Sequence, residues 1–152
     1  MAINGVFHSP KFVGQFLDVK VKQVSCGQNF TVVLNAKGEV WSFGEAQVGQ
    51  LGQGRCSKQL QPKITIAKDP VDGAIFSEIA CGWSHTLAVT SAGSIYSWGF
   101  NEYGQLGLGH KKSVFYPQLV KDVHLSHIFA GGNYSAGISG TIVSFHISEM
   151  AS

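Results

Sequence analysis

The chain has 152 residues, 44 % of them apolar and 13 % charged, with a formal net charge of +2. This is the size and composition of one globular domain and excludes a disordered or collagen-like chain; so small a positive excess, with Lys20, Lys22, Lys111 and Lys112 scattered rather than gathered into a stripe, argues against direct nucleic-acid binding. No basic segment followed by an apolar run opens the sequence and no window of about 18 apolar residues occurs, so neither a signal peptide nor a membrane span is expected, and three cysteines without a CxxC pattern (Cys26, Cys56, Cys81) fit reduced thiols of the cytosol or nucleus.

In chain order, the first predicted strand is proline-led, SPKFV at Pro10. Behind it lies Val24–Gly54, then a second proline-led strand, QPKITI at Pro62, and a longer surface excursion, Lys68–Ala74 (KDPVDGA). Ile79–Gly109 follows. Within it the β-branched and apolar run Thr86–Thr90 predicts a strand, Ser91–Gly93 a turn, and Ser94–Trp98 alternates with period two. A third proline-led strand covers Phe115–Val120, with Pro117 marking it as an edge strand, and His127–Ala130 comes next.

Val24–Gly54 superimposes on Ile79–Gly109 at a shift of 55 residues without a gap. Identical pairs include Cys26/Cys81, Gly27/Gly82, Thr31/Thr86, Gly44/Gly99, Gly49/Gly104, Gln50/Gln105, Leu51/Leu106 and Gly52/Gly107; Trp41/Tyr96 and Phe43/Trp98 exchange aromatic for aromatic. A glycine-rich loop that recurs with its surroundings is a structural turn with φ > 0, or a close approach between strands, rather than a phosphate cradle. No Lys-Ser or Lys-Thr follows, and Gly99, Gly104, Gly107 and Gly109 do not fit GxGxxG. IFAGGNYSAGISGTIVSF (Ile128–Phe145) repeats the first part of the unit, with Gly132 on Gly82, Ser135 on His85 and Phe145 on Trp98. The expected units are residues 10–54, 62–109 and 117–145 of one repeat region spanning 1–152, and 146–152 form a non-repeat tail. About four short strands per unit of roughly 50 residues, with no 3.6-residue period, predict an all-β fold of propeller blades.

The run CGWSHTLAVTSAGSIYSWGFNEYGQLGLG resembles the repeat of the RCC1 (regulator of chromosome condensation) family, and the likeness extends over roughly Pro10–Phe145. It implies blades of a normally seven-bladed propeller, of which this chain supplies two complete units and two partial ones. An arc that short leaves apolar faces bare, so the chain is expected to be a fragment or truncated product, or to self-associate and complete a ring. The break from the repeat at HISEMAS favours truncation.

No enzyme constellation emerges. Ser84 and His85 are adjacent on a strand and point to opposite faces, so His85 reads as a buried histidine fixing neighbouring backbone. Cys26 and Cys81 hold one repeat position and read as small apolar fillers; no metal site and no cofactor are expected from them or from His124 and His127. Structural roles are assigned to Gly27, Gly82, Gly44, Gly99, Gly49, Gly104, Gly52, Gly107, Trp41 and Trp98. The protein-binding candidates are Phe100, Asn101, Glu102 and Tyr103, whose counterparts Glu45–Val48 differ at every position, together with Asp69 and Asp72 in the excursion. Tyr103 has a second reading, as packing against the glycine turn. The family resemblance implies a protein partner: a small GTPase, for which the complete propeller is an exchange factor, or a ubiquitination substrate recruited by an RCC1-like arm of a HECT-type ligase. An inactive truncated product is the third reading.

Overall fold

The computed structural model describes residues 9–140 and the backbone of 144–146. Within them the chain forms three antiparallel sheets in succession. Strands β1 (Val21–Cys26), β2 (Phe30–Asn35), β3 (Val40–Gly44) and β4 (Gln59–Ile66) make the first, in that order. Strands β5 (Phe76–Cys81), β6 (His85–Thr90), β7 (Ser94–Gly99) and β8 (Val114–His124) make the second. Strands β9 (His127–Gly131), β10 (Tyr134–Ile138) and β11 (Ser144–His146) make the third. A single 3-10 turn, Gly14–Phe16, precedes the first sheet. The expected all-β array of blades is therefore present.

The sheets stack face to face, and β5 packs on both β1 and β9, so the array converges on the first strand of each sheet. Alternation in β6 shows how a repeat sequence builds this. Leu87 and Val89 join Ala80, Ile95 and Val120 against Leu125, in the β8–β9 connection, and Ile128 of the third sheet. Ala88 faces the other way and lies with Ile79, Cys81, Tyr96 and Trp98 against Phe30, Val32, Leu34 and Val40 of the first sheet. The middle sheet is thus buried on both faces, which is why every residue of β6 is buried and its apolar run Leu87–Val89 is flanked by His85 and Thr86, whose polar groups bond to the neighbouring sheets.

Strand pairing places the proline-led strands last in their sheets. Pro62 lies in β4 beside β3, and Pro117 lies in β8 beside β7, both at sheet edges where a missing N–H costs no ladder bond. The predicted strand at Pro10 does not form: residues 9–13 are irregular and pair with no strand among the described residues. Residues 1–8, 141–143 and the tail 147–152 lie outside the described residues.

The third repeat also needs re-registering. Cys81↔Thr86 and Ala80↔Leu87 in the second sheet correspond to Ala130↔Ser135 and Phe129↔Ala136 in the third, a uniform shift of 49. The pairing Leu87↔Ser97 likewise becomes Ala136↔His146. Gly131, not Gly132, therefore corresponds to Gly82; Tyr134, not Ser135, to His85; and Phe145 to Tyr96 rather than Trp98. The physical marker is steric. A Cβ on Gly27, Gly82 or Gly131 would run into the ring of Phe30, His85 or Tyr134, so the same close approach recurs in every sheet.

Candidate functional site

The antiparallel strands define two rims. One carries the β1–β2, β5–β6 and β9–β10 hairpins and the long β3–β4 and β7–β8 loops, so we term it the loop rim. The other carries the tight β2–β3 and β6–β7 turns and the β4–β5 connection. Backbone hydrogen bonds run along the hairpins of the loop rim from sheet to sheet: Gln28 N–H donates to Trp83 C=O at 3.0 Å, and Trp83 N–H donates to Gly132 C=O at 2.9 Å.

The β7–β8 loop contains Phe100–Tyr103, and the structure divides these four residues. Asn101 is fully buried. Its amide donates to the carbonyls of His110 (2.8 Å) and Lys112 (3.0 Å), and its oxygen accepts from Leu106 N–H at 3.0 Å. Asn101 therefore holds the loop shut and is not free to meet a partner, which corrects its place among the binding candidates. Glu102 is exposed and Tyr103 is 51 % exposed, its ring set edge-on to Phe100 at 6.0 Å between centroids. Gln105 Oε1 accepts Tyr103 N–H at 3.1 Å, as Gln50 Oε1 accepts Val48 N–H at 3.1 Å. The glycine turn and its glutamine are thus a repeated frame, and the exposed side chains upon it are the variable part. Gly104 sits there at φ 79°.

Asp69 and Asp72 lie on the opposite rim, in the β4–β5 connection, so they do not combine with Phe100–Tyr103 into one surface. Asp69 is 3 % exposed. Its Oδ1 accepts both Val71 N–H (2.8 Å) and the Tyr96 hydroxyl (2.8 Å). Burial pushes the Asp69 pKa up, but these hydrogen bonds outweigh it and leave the carboxyl below its usual range. Asp69 shapes the loop and anchors Tyr96 and, buried as it is, presents no carboxylate to a partner, which corrects its place among the binding candidates. Asp72 is exposed, its Oδ1 accepting Ala74 N–H at 2.8 Å.

The Gly-Gln-Leu-Gly turns do a second job that sequence reasoning missed. The Gln50 carbonyl accepts from Thr86 Oγ1 and from Trp98 Nε1, both at 3.0 Å, across the first joint. The Gln105 carbonyl accepts from Ser135 Oγ at 2.8 Å across the second. His85 Nε2 lies 2.9 Å from the same Ser135 Oγ, with both residues fully buried. Because the Ser135 hydroxyl hydrogen goes to the Gln105 carbonyl, the proton between His85 and Ser135 sits on Nε2. That polarity is opposite to a base activating a nucleophile. His85 Nδ1 finds no partner among the described residues, and burial pushes its pKa down to about 4, so the ring is neutral at physiological pH. The signal for Ser135 was its alignment with Thr86, hidden by the Gly131-Gly132 doublet.

The two repeat cysteines are not equivalent. Cys81 is buried, its thiol directed at Ser25 C=O (3.6 Å), and burial raises its pKa to about 12. Cys26 is exposed, because no sheet among the described residues lies over that face of β1, so the reading as an apolar filler is corrected for Cys26. The outer face of the first sheet is covered at one point by Phe16, whose ring meets Trp41 at 5.8 Å and Phe43 at 6.5 Å. His127 pairs with Glu78 at 3.0 Å. No helix among the described residues is long and apolar enough to cross a membrane.

Two four-stranded antiparallel sheets followed by one of three strands, converging on their first strands and repeating one hydrogen-bonded joint, define an array of β-propeller blades. Residues 37–89 and 92–138 match the regulator of chromosome condensation (RCC1) repeat, and a second form of that repeat matches 21–50 and 76–105. The chain belongs to the RCC1 repeat family. It is 39 % identical over 119 residues to the serine/threonine-protein kinase Nek9 of Xenopus laevis, covering 76 % of this chain and 12 % of that protein. It is 31 % identical over 134 residues to the probable E3 ubiquitin-protein ligase HERC4 of Homo sapiens, covering 86 % of this chain and 12 % of the ligase. Among solved structures, human WBSCR16 aligns with a TM-score of 0.75 at 28 % identity, over 86 % of this chain and 33 % of that one. Prp20p of Saccharomyces cerevisiae, described with its binding to Gsp1p and histones, shares the fold at a TM-score of 0.68 and 21 % identity, over 82 % of this chain and 32 % of its own. The chain thus spans about one eighth of the two curated relatives.

Proposed function

We propose that the chain is a non-catalytic protein-binding segment of an RCC1-like propeller, working in the cytoplasm or nucleus, and that it meets its partner through the loop rim. The observation that carries this is the division of the β7–β8 loop: Asn101 and Gln105 fix the backbone from within, while Glu102 and Tyr103 stand exposed on that rigid frame. Side chains held out by a pre-organised loop bind without a large ordering cost. Photo-cross-linking tests it. A benzophenone side chain in place of Tyr103 is expected to cross-link a partner that the same group in place of Ala92, on the opposite rim, does not reach. Equal capture at both positions refutes the assignment of the rim.

Two finer roles are compatible with this. The likeness to HERC4 along most of the chain supports a substrate-recruiting arm of a ligase whose catalytic domain lies outside these residues. Regulation of a small GTPase is the other, in line with the shared fold of Prp20p. Release of labelled GDP from Gsp1p separates them: acceleration by the chain supports exchange, and no acceleration leaves recruitment.

A further inference from the structure

The loop rim carries more than Phe100–Tyr103. Trp83, at the tip of the β5–β6 hairpin, is 59 % exposed, the most exposed of the chain's tryptophans. Its position in the hairpin row is flanked by Gln28 in the first sheet and Gly132 in the third. Phe100 N–H donates to Ser84 C=O at 2.9 Å, which ties the aromatic loop to this same hairpin. Lys111 and Lys112 are exposed on the far limb of the loop, positioned through the Asn101 amide and the Lys112 carbonyl.

Charge is distributed in a telling way. The loop rim holds Arg55, Lys58, Lys111 and Lys112 against Glu45 and Glu102, an excess of two. That equals the formal net charge of the whole chain, so all remaining charged residues cancel. The lysines that look scattered in sequence therefore include two that share a rim with Arg55 and an exposed indole.

We infer that the loop rim is a docking surface for an acidic polypeptide segment, one of whose apolar or aromatic side chains packs on the exposed indole of Trp83 while its carboxylates face Lys111, Lys112 and Arg55. A polypeptide suits this surface better than a nucleic-acid strand. An excess of two charges neutralises few phosphates. The inference rests on the interaction role proposed above and adds the chemistry of the partner.

The test uses the full chain and a fluorescein-labelled random copolymer of glutamate and tyrosine, followed by anisotropy. Three variants are compared: Trp83→Gln, which installs the residue of the first-sheet hairpin; the pair Lys111→Ala with Lys112→Ala, whose backbone contacts remain; and the pair Lys37→Ala with Lys68→Ala on the opposite rim. Saturable binding is expected, weakening as salt rises, reduced about fivefold by Trp83→Gln and about tenfold by the Lys111/Lys112 pair, and unchanged by the control pair. No binding by the parent chain, or equal binding by all variants, overturns the inference. So does an oligothymidylate that binds more tightly than the copolymer and responds to the same substitutions, since the surface is then one for nucleic acid. A Tyr103 cross-link with failed copolymer binding removes the acidic preference and leaves the interaction role standing; loss of both removes both.

Discussion

The joint between the first and second sheets and the joint between the second and third share one backbone plan and differ in polar chemistry. In the first, Gln23 on β1 both donates to Ile79 C=O (2.8 Å) and accepts Ile79 N–H (2.9 Å). In the second, Glu78 takes the equivalent place. A carboxylate only accepts, so it caps Ile128 N–H (3.3 Å) and spends its other oxygen on His127 (3.0 Å). Phe30, apolar, fills the space beside Gly27, whereas His85 fills the space beside Gly82. A repeat can thus exchange a neutral joint for a titratable one without moving a strand. The first joint should respond mainly to lost packing and the second also to pH.

The largest expected effect tests the packing half of that contrast. Trp98 is fully buried between the first two sheets and donates to the Gln50 carbonyl, so Trp98→Ala should cost about 3–5 kcal/mol, seen as a large fall in Tm. Trp41, two residues away in the repeat, is only half-buried under Phe16, and its Nε1 has no partner among the described residues. Trp41→Ala should cost clearly less, about 1–2 kcal/mol. Equal losses would mean that the Phe16 cap holds the outer face as firmly as a neighbouring sheet does.

The next effect belongs to the second joint. Burial lowers the His85 pKa from 6.5 to about 4. Between those values the unfolded chain binds a proton that the folded chain refuses. Stability therefore rises with pH across that window, is fully present above 6.5, and is lost as pH falls toward 4. The shift corresponds to about 3 kcal/mol. Urea unfolding at a series of pH values should show this slope, and His85→Phe, which copies the first joint, should flatten it. A slope that survives His85→Phe would place the titration elsewhere.

How much of this could be read from residues alone depends on what forced them. The blade repeat was legible because Gly27, Gly82 and the Gly-Gln-Leu-Gly turns answer to sterics, which recur wherever the backbone recurs. The third copy was legible as a repeat but not in register: with Gly131 beside Gly132 either glycine fits the pattern, and only strand pairing separates them. Asn101 and Asp69 looked like surface polar residues because polarity alone does not distinguish a side chain that binds a partner from one that closes its own loop. Trp83, Arg55, Lys111 and Lys112 come from three connections, and only the antiparallel topology brings those connections to one rim.

The smallest effect is the most direct comparison of the joints, an exchange of their polar residues. Glu78→Gln keeps an acceptor for Ile128 N–H and gives up only the ion pair with a largely exposed His127 (61 % exposed side chain), so the cost should be about 0–1 kcal/mol. Gln23→Glu is not its mirror image. The new carboxylate can still accept Ile79 N–H, but it cannot donate to Ile79 C=O, and it faces that carbonyl 2.8 Å away with no histidine opposite: residue 78, beside Ile79, is itself acidic. The loss should be about 1–2 kcal/mol at neutral pH and should shrink as the carboxylate is protonated. If the two substitutions cost the same at pH 7, the amide at Gln23 is contributing only as an acceptor, and the difference between the joints lies in His85 alone.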